Sequence, residues 1–215
     1  MIPSPPGEFS RLAVGEPRLR LPPAGEGQRI ALFGGSFNPP HRGHLRVALA
    51  GLVRLALDEV WWMVTPGNPL KSGDGLAPLE ERLDRTGRLA RHPRMAVTAF
   101  EAAIGTRFTA EAVDYVVRRH PTVRFVWLMG ADNLATLHRW QRWRDIVRTV
   151  PMAVVDRPGA TMSAVSAPAA RAFARSRIPE HAARTLADLP APAWVFLHVP
   201  RDPTSSTLLR AHNVC

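Results

Sequence analysis

The sequence has almost no cysteine and no long apolar run. Of its 215 residues only Cys215 is a cysteine, so no disulfide can form within the chain, which is typical of a reducing compartment. The longest apolar stretch, residues 47–57, is interrupted by Arg54 and is far shorter than the ~18 residues that a membrane span needs. The proline-rich residues 1–28 also lack the apolar core of a signal peptide. These absences predict a soluble, cytoplasmic protein that does not bind a membrane.

Lysine is nearly absent as well, since Lys71 is the only one among 28 basic residues. With 18 acidic residues the formal net charge is +10, which favours anionic ligands such as nucleotide phosphates. The arginines are spread along the chain, without the run of five or more basic residues that is typical of a nucleic-acid-binding tail. We therefore expect phosphate-bearing small molecules, and no nucleic acid, as partners. A non-catalytic nucleic-acid binder with steeply salt-dependent affinity is the alternative that the charge suggests.

Several common nucleotide and hydrolase motifs are missing. The chain has no Gly-Lys-Ser/Thr element, which excludes a P-loop, and no three-glycine dinucleotide fingerprint after its first predicted strand. It has no His-Glu-x-x-His arrangement for zinc and no Gly-x-Ser-x-Gly element of a serine hydrolase. These absences exclude two common phosphate-binding motifs and disfavour zinc and serine-hydrolase chemistry.

What the sequence does contain is a regular alternation of apolar strands and amphipathic helices. This alternation is typical of βαβ units and of a parallel sheet covered on both faces. We predict an α/β fold with an open parallel sheet of the Rossmann type, in one domain over residues 29–215, after a flexible Pro/Gly-rich extension over residues 1–28. The predicted strands cover residues 30–33, 60–64, 95–99, 123–129, 152–155 and 194–197, and the predicted helical stretches cover residues 44–57, 79–91, 109–120, 132–147 and 164–189.

The most informative segment is GGSFNPPHRGH at residues 34–44, directly after the first predicted strand. Glycines at such a turn let backbone N–H groups approach an anion, and the N-terminus of the next helix adds a favourable dipole. His41 and His44 are three residues apart, so both imidazoles can face one ligand, and Gly43 adds no bulk between them. This arrangement predicts a polyphosphate site that stabilises the charge developing during group transfer.

Residues 34–44 resemble the HxGH signature of the nucleotidyltransferase superfamily, and further segments are similar to bacterial nicotinate-nucleotide adenylyltransferases. The resemblance extends in order from about residue 29 to residue 210. The first and last of its segments are typical of the superfamily, whereas the PGNPLK and FTA segments point to this family. The segments after residue 44 are PGNPLK at 66–71, FTA at 108–110, GADNL at 130–134, Trp140, RPG at 157–159 and SSTLLR at 205–210.

The resemblance implies roles for individual residues. His41, His44 and Arg210 are the implied catalytic residues, which bind the ATP phosphates and stabilise the transition state. Trp140 is the implied stacking partner of the nicotinate ring, and backbone groups at Thr109 are the implied partners of its carboxylate. The family uses Mg²⁺ together with ATP, and no residue is assigned as a direct metal ligand. The implied ATP-binding residues are Gly34, Gly35, Ser36, Phe37, His41, Gly43, His44, Gly130, Asp132, Ser205, Ser206, Thr207 and Arg210, and those for nicotinate mononucleotide are Asn38, Lys71, Thr109, Trp140 and Arg157.

The implied reaction joins ATP and nicotinate mononucleotide to give deamido-NAD and pyrophosphate, a step of NAD biosynthesis. The 5′-phosphate of the mononucleotide attacks the α-phosphorus of ATP in line, and because this phosphate is already anionic no strong general base is needed. A sister enzyme that adenylylates nicotinamide mononucleotide or phosphopantetheine is an alternative that acceptor preference would separate. A synthetase-like fragment is disfavoured, because the Lys-Met-Ser-Lys-Ser loop of such enzymes is absent.

Overall fold

The short apolar runs of the sequence form the strands of one central sheet. In a computed structural model, which describes residues 16–67, 75–157 and 161–199, these runs pair in parallel throughout. The strands are β1 (Arg29–Gly35), β2 (Glu59–Val64), β3 (Met95–Thr98), β4 (Arg124–Gly130), β5 (Met152–Val155) and β6 (Trp194–Leu197). They form a six-stranded sheet in the order β3-β2-β1-β4-β5-β6 within the described part of the chain. The predicted open parallel α/β sheet is therefore confirmed.

The helices connect the strands and cover both faces of the sheet. The sequence also predicted one helical stretch over residues 164–189, but the structure divides it into short helices and 3₁₀-helices. Proline explains the breaks, since Pro168 starts one helix and Pro179 directly precedes a 3₁₀-helix. The helices are α1 (Arg42–Arg54), α2 (Leu79–Leu89), α3 (Phe100–Ala103), α4 (Thr109–Arg119), α5 (Ala131–Thr136), α6 (Trp143–Thr149), α7 (Thr161–Val165) and α8 (Pro168–Ala172), with 3₁₀-helices at Pro17–Leu19, Leu137–Arg139, Ala174–Ser176 and Glu180–Asp188.

Two separate cores form because each strand sends alternate side chains to opposite faces of the sheet. Along β1, Ile30 and Leu32 enter a core that they share with helices α3 to α8. Ala31 and Phe33 enter the other core, with α1, α2 and the 3₁₀-helix Glu180–Asp188. We call these two sides the α4 face and the α1 face. No helix within the three described ranges has the length and apolar character needed to cross a membrane.

The strand order places the ligand-binding edge of the sheet. β1 lies at the centre and pairs with β2 on one side and with β4 on the other. The chain thus builds outward in one direction from β1 through β2 to β3, and in the opposite direction from β4 onward. Open α/β sheets bind ligands at the carboxyl ends of strands where the order reverses. The ends of β1 and β4, at Gly35 and Gly130, are therefore the expected site.

Residues 16–28 differ from the flexible extension that the sequence predicted for residues 1–28. They pack against the sheet, and the Thr98 hydroxyl donates hydrogen bonds to the carbonyls of Arg18, at 3.1 Å, and Arg20, at 2.7 Å. The prolines and glycines of this segment leave it without a regular pattern of apolar residues. Its contacts with Thr98 are made by backbone carbonyls, which a sequence pattern does not reveal. The part of the predicted extension before residue 16 lies outside the described residues.

Candidate active site

The glycine-rich segment lies at the carboxyl edge of the sheet, because β1 ends at Gly35 and α1 begins at Arg42. Gly34 has no room for a side chain, since a Cβ atom there would lie 2.5 Å from Cη2 of Trp127. Gly43 is buried in the first turn of α1. The absence of a Cβ at Gly34 lets the Trp127 ring pack against the end of β1, and Gly43 adds no side chain between the two histidines.

The two histidines of the segment cap the N-terminus of α1 and are held by it. His41 is the N-cap residue, and its Nδ1 accepts the Gly43 N–H at 3.1 Å. The Nδ1 of His44 accepts the His41 N–H at 3.2 Å, which completes a reciprocal capping box. Because Nδ1 is the acceptor in both rings, the proton of each neutral imidazole lies on Nε2. The ring centroids are 3.8 Å apart, so the two imidazoles lie in direct contact.

The ring of Phe37 packs against His44 from the core of the α1 face. Its side chain is only 2% exposed and packs in the core of the α1 face, with its ring centroid 5.0 Å from that of His44 and 5.2 Å from that of Trp62. Its φ of 43° lies in the left-handed region, which is uncommon for a residue with a bulky side chain. The contact of Phe37 with ATP stays a prediction, and the structure adds that its ring packs against His44.

The ends of β4 and β5 bring a second pair of predicted residues together. Asp132 lies in the first turn of α5, and Arg157 follows β5 closely along the chain. Nη1 of Arg157 lies 3.2 Å from Oδ2 of Asp132. The Asp132 side chain is 51% exposed and that of Arg157 is 17% exposed, so solvent reaches this ion pair from the Asp132 side. Gly130 is the last residue of β4, and a Cβ atom there would lie 2.6 Å from Oδ1 of Asp132.

Asn38 uses its amide group within the protein. Its Nδ2 donates to the Gly75 carbonyl at 2.8 Å, and its Oδ1 accepts the Ala77 N–H at 3.3 Å. These bonds join the segment after β1 to the segment before α2. The contact of Asn38 with the mononucleotide stays a prediction, and the structure adds this loop-joining role.

Thr109 and Trp140 lie on the α4 face of the sheet. Thr109 is the first residue of α4, and the N-cap position, Phe108, makes no side-chain hydrogen bond to the helix. The Glu111 N–H already donates to the Phe108 carbonyl at 3.1 Å, so the first-turn N–H groups suited to an anion are those of Thr109 and Ala110. Trp140 is partly buried and contacts Trp127 edge to face, with ring centroids 6.3 Å apart.

Some predicted residues and segments are not part of the structural description. Their roles stay predictions from the resemblance. They are Lys71, Pro158, Gly159, Ser205, Ser206, Thr207 and Arg210.

Arg82 is a residue near this site that sequence reasoning missed. Its side chain is 1% exposed and donates hydrogen bonds to the carbonyls of Ser36, at 2.9 Å, and Thr65, at 2.7 Å. The signal was present in the sequence, since Arg82 lies next to Leu83 on the side of α2 that packs against the sheet. A charged residue at such a position indicates a buried polar contact.

Glu101 is a second residue that sequence reasoning missed. It lies in α3 and is buried, and burial raises the pKa of its carboxyl to about 7 although a hydrogen bond with Thr65 acts in the opposite direction. The Thr65 N–H in turn donates to the Gly35 carbonyl at 3.0 Å. Glu101 is thus connected to the end of β1 through a single residue. Its only signal in the sequence is an acidic residue beside Phe100 after a strand.

The sequence of this chain is similar to those of known proteins. A family model described as cytidylyltransferase-like matches residues 32–212. A probable nicotinate-nucleotide adenylyltransferase of Methylorubrum extorquens is 58% identical over 182 residues, which cover 85% of this chain and 98% of the relative. A protein of the same name from Rhizobium meliloti is 57% identical over 182 residues, which cover 85% of this chain and 97% of the relative.

Solved structures share the fold. The nicotinic acid mononucleotide adenylyltransferase of Plasmodium falciparum in complex with NaAD is similar with a TM-score of 0.65 and 15% identity, over 86% of this chain and 83% of that chain. The same parasite enzyme in complex with APC gives a TM-score of 0.64 and 14% identity over the same shares. At these identities the similarity establishes the architecture.

Proposed function

We infer that this chain, which belongs to the cytidylyltransferase-like family and within it to the nicotinate-nucleotide adenylyltransferases, transfers the adenylyl group of ATP to nicotinate mononucleotide. The products are deamido-NAD and pyrophosphate, and the reaction is a step of NAD biosynthesis. The family match spans residues 32–212, so it includes the capped histidine pair, the strand ends and both faces of the sheet.

The observation that carries the mechanism is the reciprocal capping box of His41 and His44. The hydrogen bonds to Nδ1 fix both the tautomer and the orientation of each ring before any substrate is bound. Donors that are held in place at a helix N-terminus stabilise developing negative charge without reorganising during the reaction. This is the property that adenylyl transfer requires as pyrophosphate departs.

The chain's own residues then act by alignment and charge stabilisation. The Nε2–H groups of His41 and His44 donate to the ATP phosphates, while backbone groups at residues 34–37 hold the nucleotide against the end of β1. The 5′-phosphate of the acceptor attacks the α-phosphorus in line, the new P–O bond forms as the bond to pyrophosphate breaks, and no proton needs to be removed from the nucleophile. Arg210 and residues 205–207 are assigned to the outer phosphates by the resemblance.

Mg²⁺ fits this site as an ion carried largely by ATP. Within residues 16–67, 75–157 and 161–199 no three His, Cys, Asp or Glu side chains are grouped as metal ligands. Asp132 supplies one half-exposed carboxylate at the end of β4, which pairs with Arg157 and would also be the protein's oxygen donor to such an ion. Magnesium bound with ATP neutralises phosphate charge, and Asp132 is the described residue that would hold it.

The start of α4 is suited to the nicotinate carboxylate, because its N-cap has no competing side chain. Proline is tolerated at the first residue of a helix, and the extended backbone of Phe108 is compatible with a following proline. Thr109→Pro should therefore keep α4 while deleting one N–H, and should raise the KM for nicotinate mononucleotide. Thr109→Ala, which keeps the N–H, is the matched control. Equal KM values in the two variants would show that this N–H does not bind the carboxylate.

The test of the reaction is pyrophosphate release from Mg-ATP with three acceptors in parallel. Nicotinate mononucleotide should give the highest kcat/KM, with nicotinamide mononucleotide and phosphopantetheine well below it. A preference for either other acceptor would reassign the enzyme to a sister activity on the same fold. If no acceptor released pyrophosphate, the adenylyltransferase assignment would fail for this chain.

A further inference from the structure

Arg82 is a charged side chain at a position where the helix repeat predicts an apolar one. On the same side of α2, Leu83 and Thr86 are buried and Leu79 packs against the core of the α1 face. Arg82 lies among them with 1% of its surface exposed. Removing a guanidinium from water is costly, so a buried one is tolerated where its N–H groups find acceptors. The positions of those acceptors therefore indicate what this side chain does.

The guanidinium of Arg82 donates to backbone carbonyls from three separate segments. Nη1 donates to Ser36, after β1, at 2.9 Å, and to Thr65, after β2, at 2.7 Å. Nη2 donates to Pro66 at 3.2 Å, and Nε donates to Ala77, directly before the N-cap of α2, at 2.8 Å. One rigid, planar group thus connects the ends of two neighbouring strands to the start of a helix.

These bonds also set the direction of backbone donors. In a trans peptide the C=O and the N–H point in opposite directions, so the bond to the Ser36 carbonyl turns the Phe37 N–H away from the guanidinium. The bond to the Pro66 carbonyl does the same for the Gly67 N–H. Among the described residues, neither N–H donates a hydrogen bond to a backbone carbonyl. The Phe37 N–H belongs to the segment that precedes the capped histidines.

We propose that Arg82 is a positioning residue for adenylyl transfer, which holds the loops after β1 and β2 in one fixed relation so that backbone donors of residues 34–37 face the phosphates. The proposal rests on the proposed function, which assigns phosphate binding to those residues. Arg82 acts through the backbone and does not contact the substrate. A lysine cannot replace it, because one ammonium has three donors at a single point and lacks the planar fork that spans these carbonyls.

The test compares Arg82→Lys with Arg88→Lys, which makes the same change at an exposed position of the same helix. Both variants are assayed for pyrophosphate release well below their melting temperatures, so that the folded fraction is equal. Backbone amide hydrogen exchange of peptides covering residues 34–44 is measured in parallel without ligand. Arg82→Gln is a second variant with less side-chain volume, should the lysine variant fold poorly.

Arg82→Lys should lower kcat on the order of 10–100-fold, the cost of a small misplacement of reacting groups. It should also speed exchange at residues 34–44, while Arg88→Lys changes neither quantity. A folded Arg82→Lys with the kcat of Arg88→Lys, or with unchanged exchange at residues 34–44, would overturn the proposal and leave Arg82 a purely structural residue. Should the wild-type chain release no pyrophosphate, the proposed reaction fails, and the exchange result alone decides whether Arg82 orders the loop.

Discussion

The two strand ends that meet at the centre of the sheet are built in different ways. At the end of β1, His41 is 4% exposed and its ring is fixed by a backbone hydrogen bond, while Gly34 lies against the buried ring of Trp127. At the end of β4, Asp132 is half exposed and meets Arg157 in an ion pair that water can reach. One side of the proposed site is thus rigid and enclosed, and the other is open.

This difference matches the chemistry proposed for each side. Negative charge develops on the phosphates, and donors stabilise it best when they are fixed before the reaction. The end of β4 is assigned one half-exposed carboxylate, which meets an ion carried largely by ATP, so groups that adapt to their ligand are sufficient there. The comparison therefore predicts that substitutions near β1 have large effects and that equivalent substitutions near β4 have small ones.

The largest effect is expected at His44. His44→Ala removes the Nε2–H donor and also the acceptor for the His41 N–H, so kcat should fall on the order of 10²–10³-fold, the typical cost of one preorganised donor. Pyrophosphate release measured on the folded variant checks this, with the exposed His181→Ala as control. Near-normal turnover in a folded His44→Ala would show that His44 does not take part in the mechanism. The main contrast between the two sides of the site would then be lost.

Glu101, which is connected to the end of β1 through Thr65, should make the stability of the protein depend on pH. Burial raises the pKa of Glu101 from 4.5 to about 7, so the folded chain keeps a proton that the unfolded chain releases between these values. The contribution to the free energy of unfolding is therefore fully present below pH 4.5 and is lost as pH rises through 7, by up to about 3 kcal/mol. Denaturant unfolding of Glu101→Gln across this window should lack that decline. The same slope in wild type and variant would contradict it, and the exposed Glu80→Gln serves as control.

Much of the fold could be predicted because its signals are local and periodic. The helix predicted over residues 109–120 is α4, Thr109–Arg119, and the strand predicted over 123–129 is β4, Arg124–Gly130. The stretch 164–189 was harder, because its alanines favour helix while its prolines divide it. Residues 16–28 have no period at all, and their contacts are with distant residues, such as the Thr98 hydroxyl some 80 residues away and the Thr122 carbonyl.

The candidate site could be predicted only where its residues are consecutive. The segment 34–44 contains both histidines and their glycines in one string, so the pattern indicates the chemistry directly. Arg82 lies 46 residues from Ser36, and no spacing rule connects a side chain in one helix with a carbonyl in another loop. The orientation of Phe37 is equally hidden, because a sequence does not show whether an aromatic ring turns toward the ligand or into the core.

Gly34→Ala tests how rigid the β1 side is. Its Cβ would lie 2.5 Å from Cη2 of Trp127, a buried ring that cannot move without disturbing the core of the α4 face. The substitution should lower the free energy of unfolding by about 1–3 kcal/mol, the usual cost of overpacking. Gly87→Ala is the control, since a Cβ there meets nothing within 4 Å and alanine favours the helix. A Gly34→Ala protein as stable as the Gly87→Ala protein would show that Trp127 yields easily.

Gly130→Ala should have the smallest effect, although its new Cβ would also be crowded, at 2.6 Å from Oδ1 of Asp132 and 2.8 Å from Cδ of Arg157. The backbone at Gly130, with φ −79° and ψ 158°, is one that alanine adopts without strain. Its neighbours are the side chains of Asp132, 51% exposed, and Arg157, 17% exposed. Their ion pair is worth about 0–1 kcal/mol, so a shift of the Asp132 carboxylate toward solvent costs little. Thermal and denaturant unfolding should place Gly130→Ala within about 1 kcal/mol of wild type. A loss as large as that of Gly34→Ala would mean that the β4 end is as rigid as the β1 end, and the contrast between the two sides would not hold.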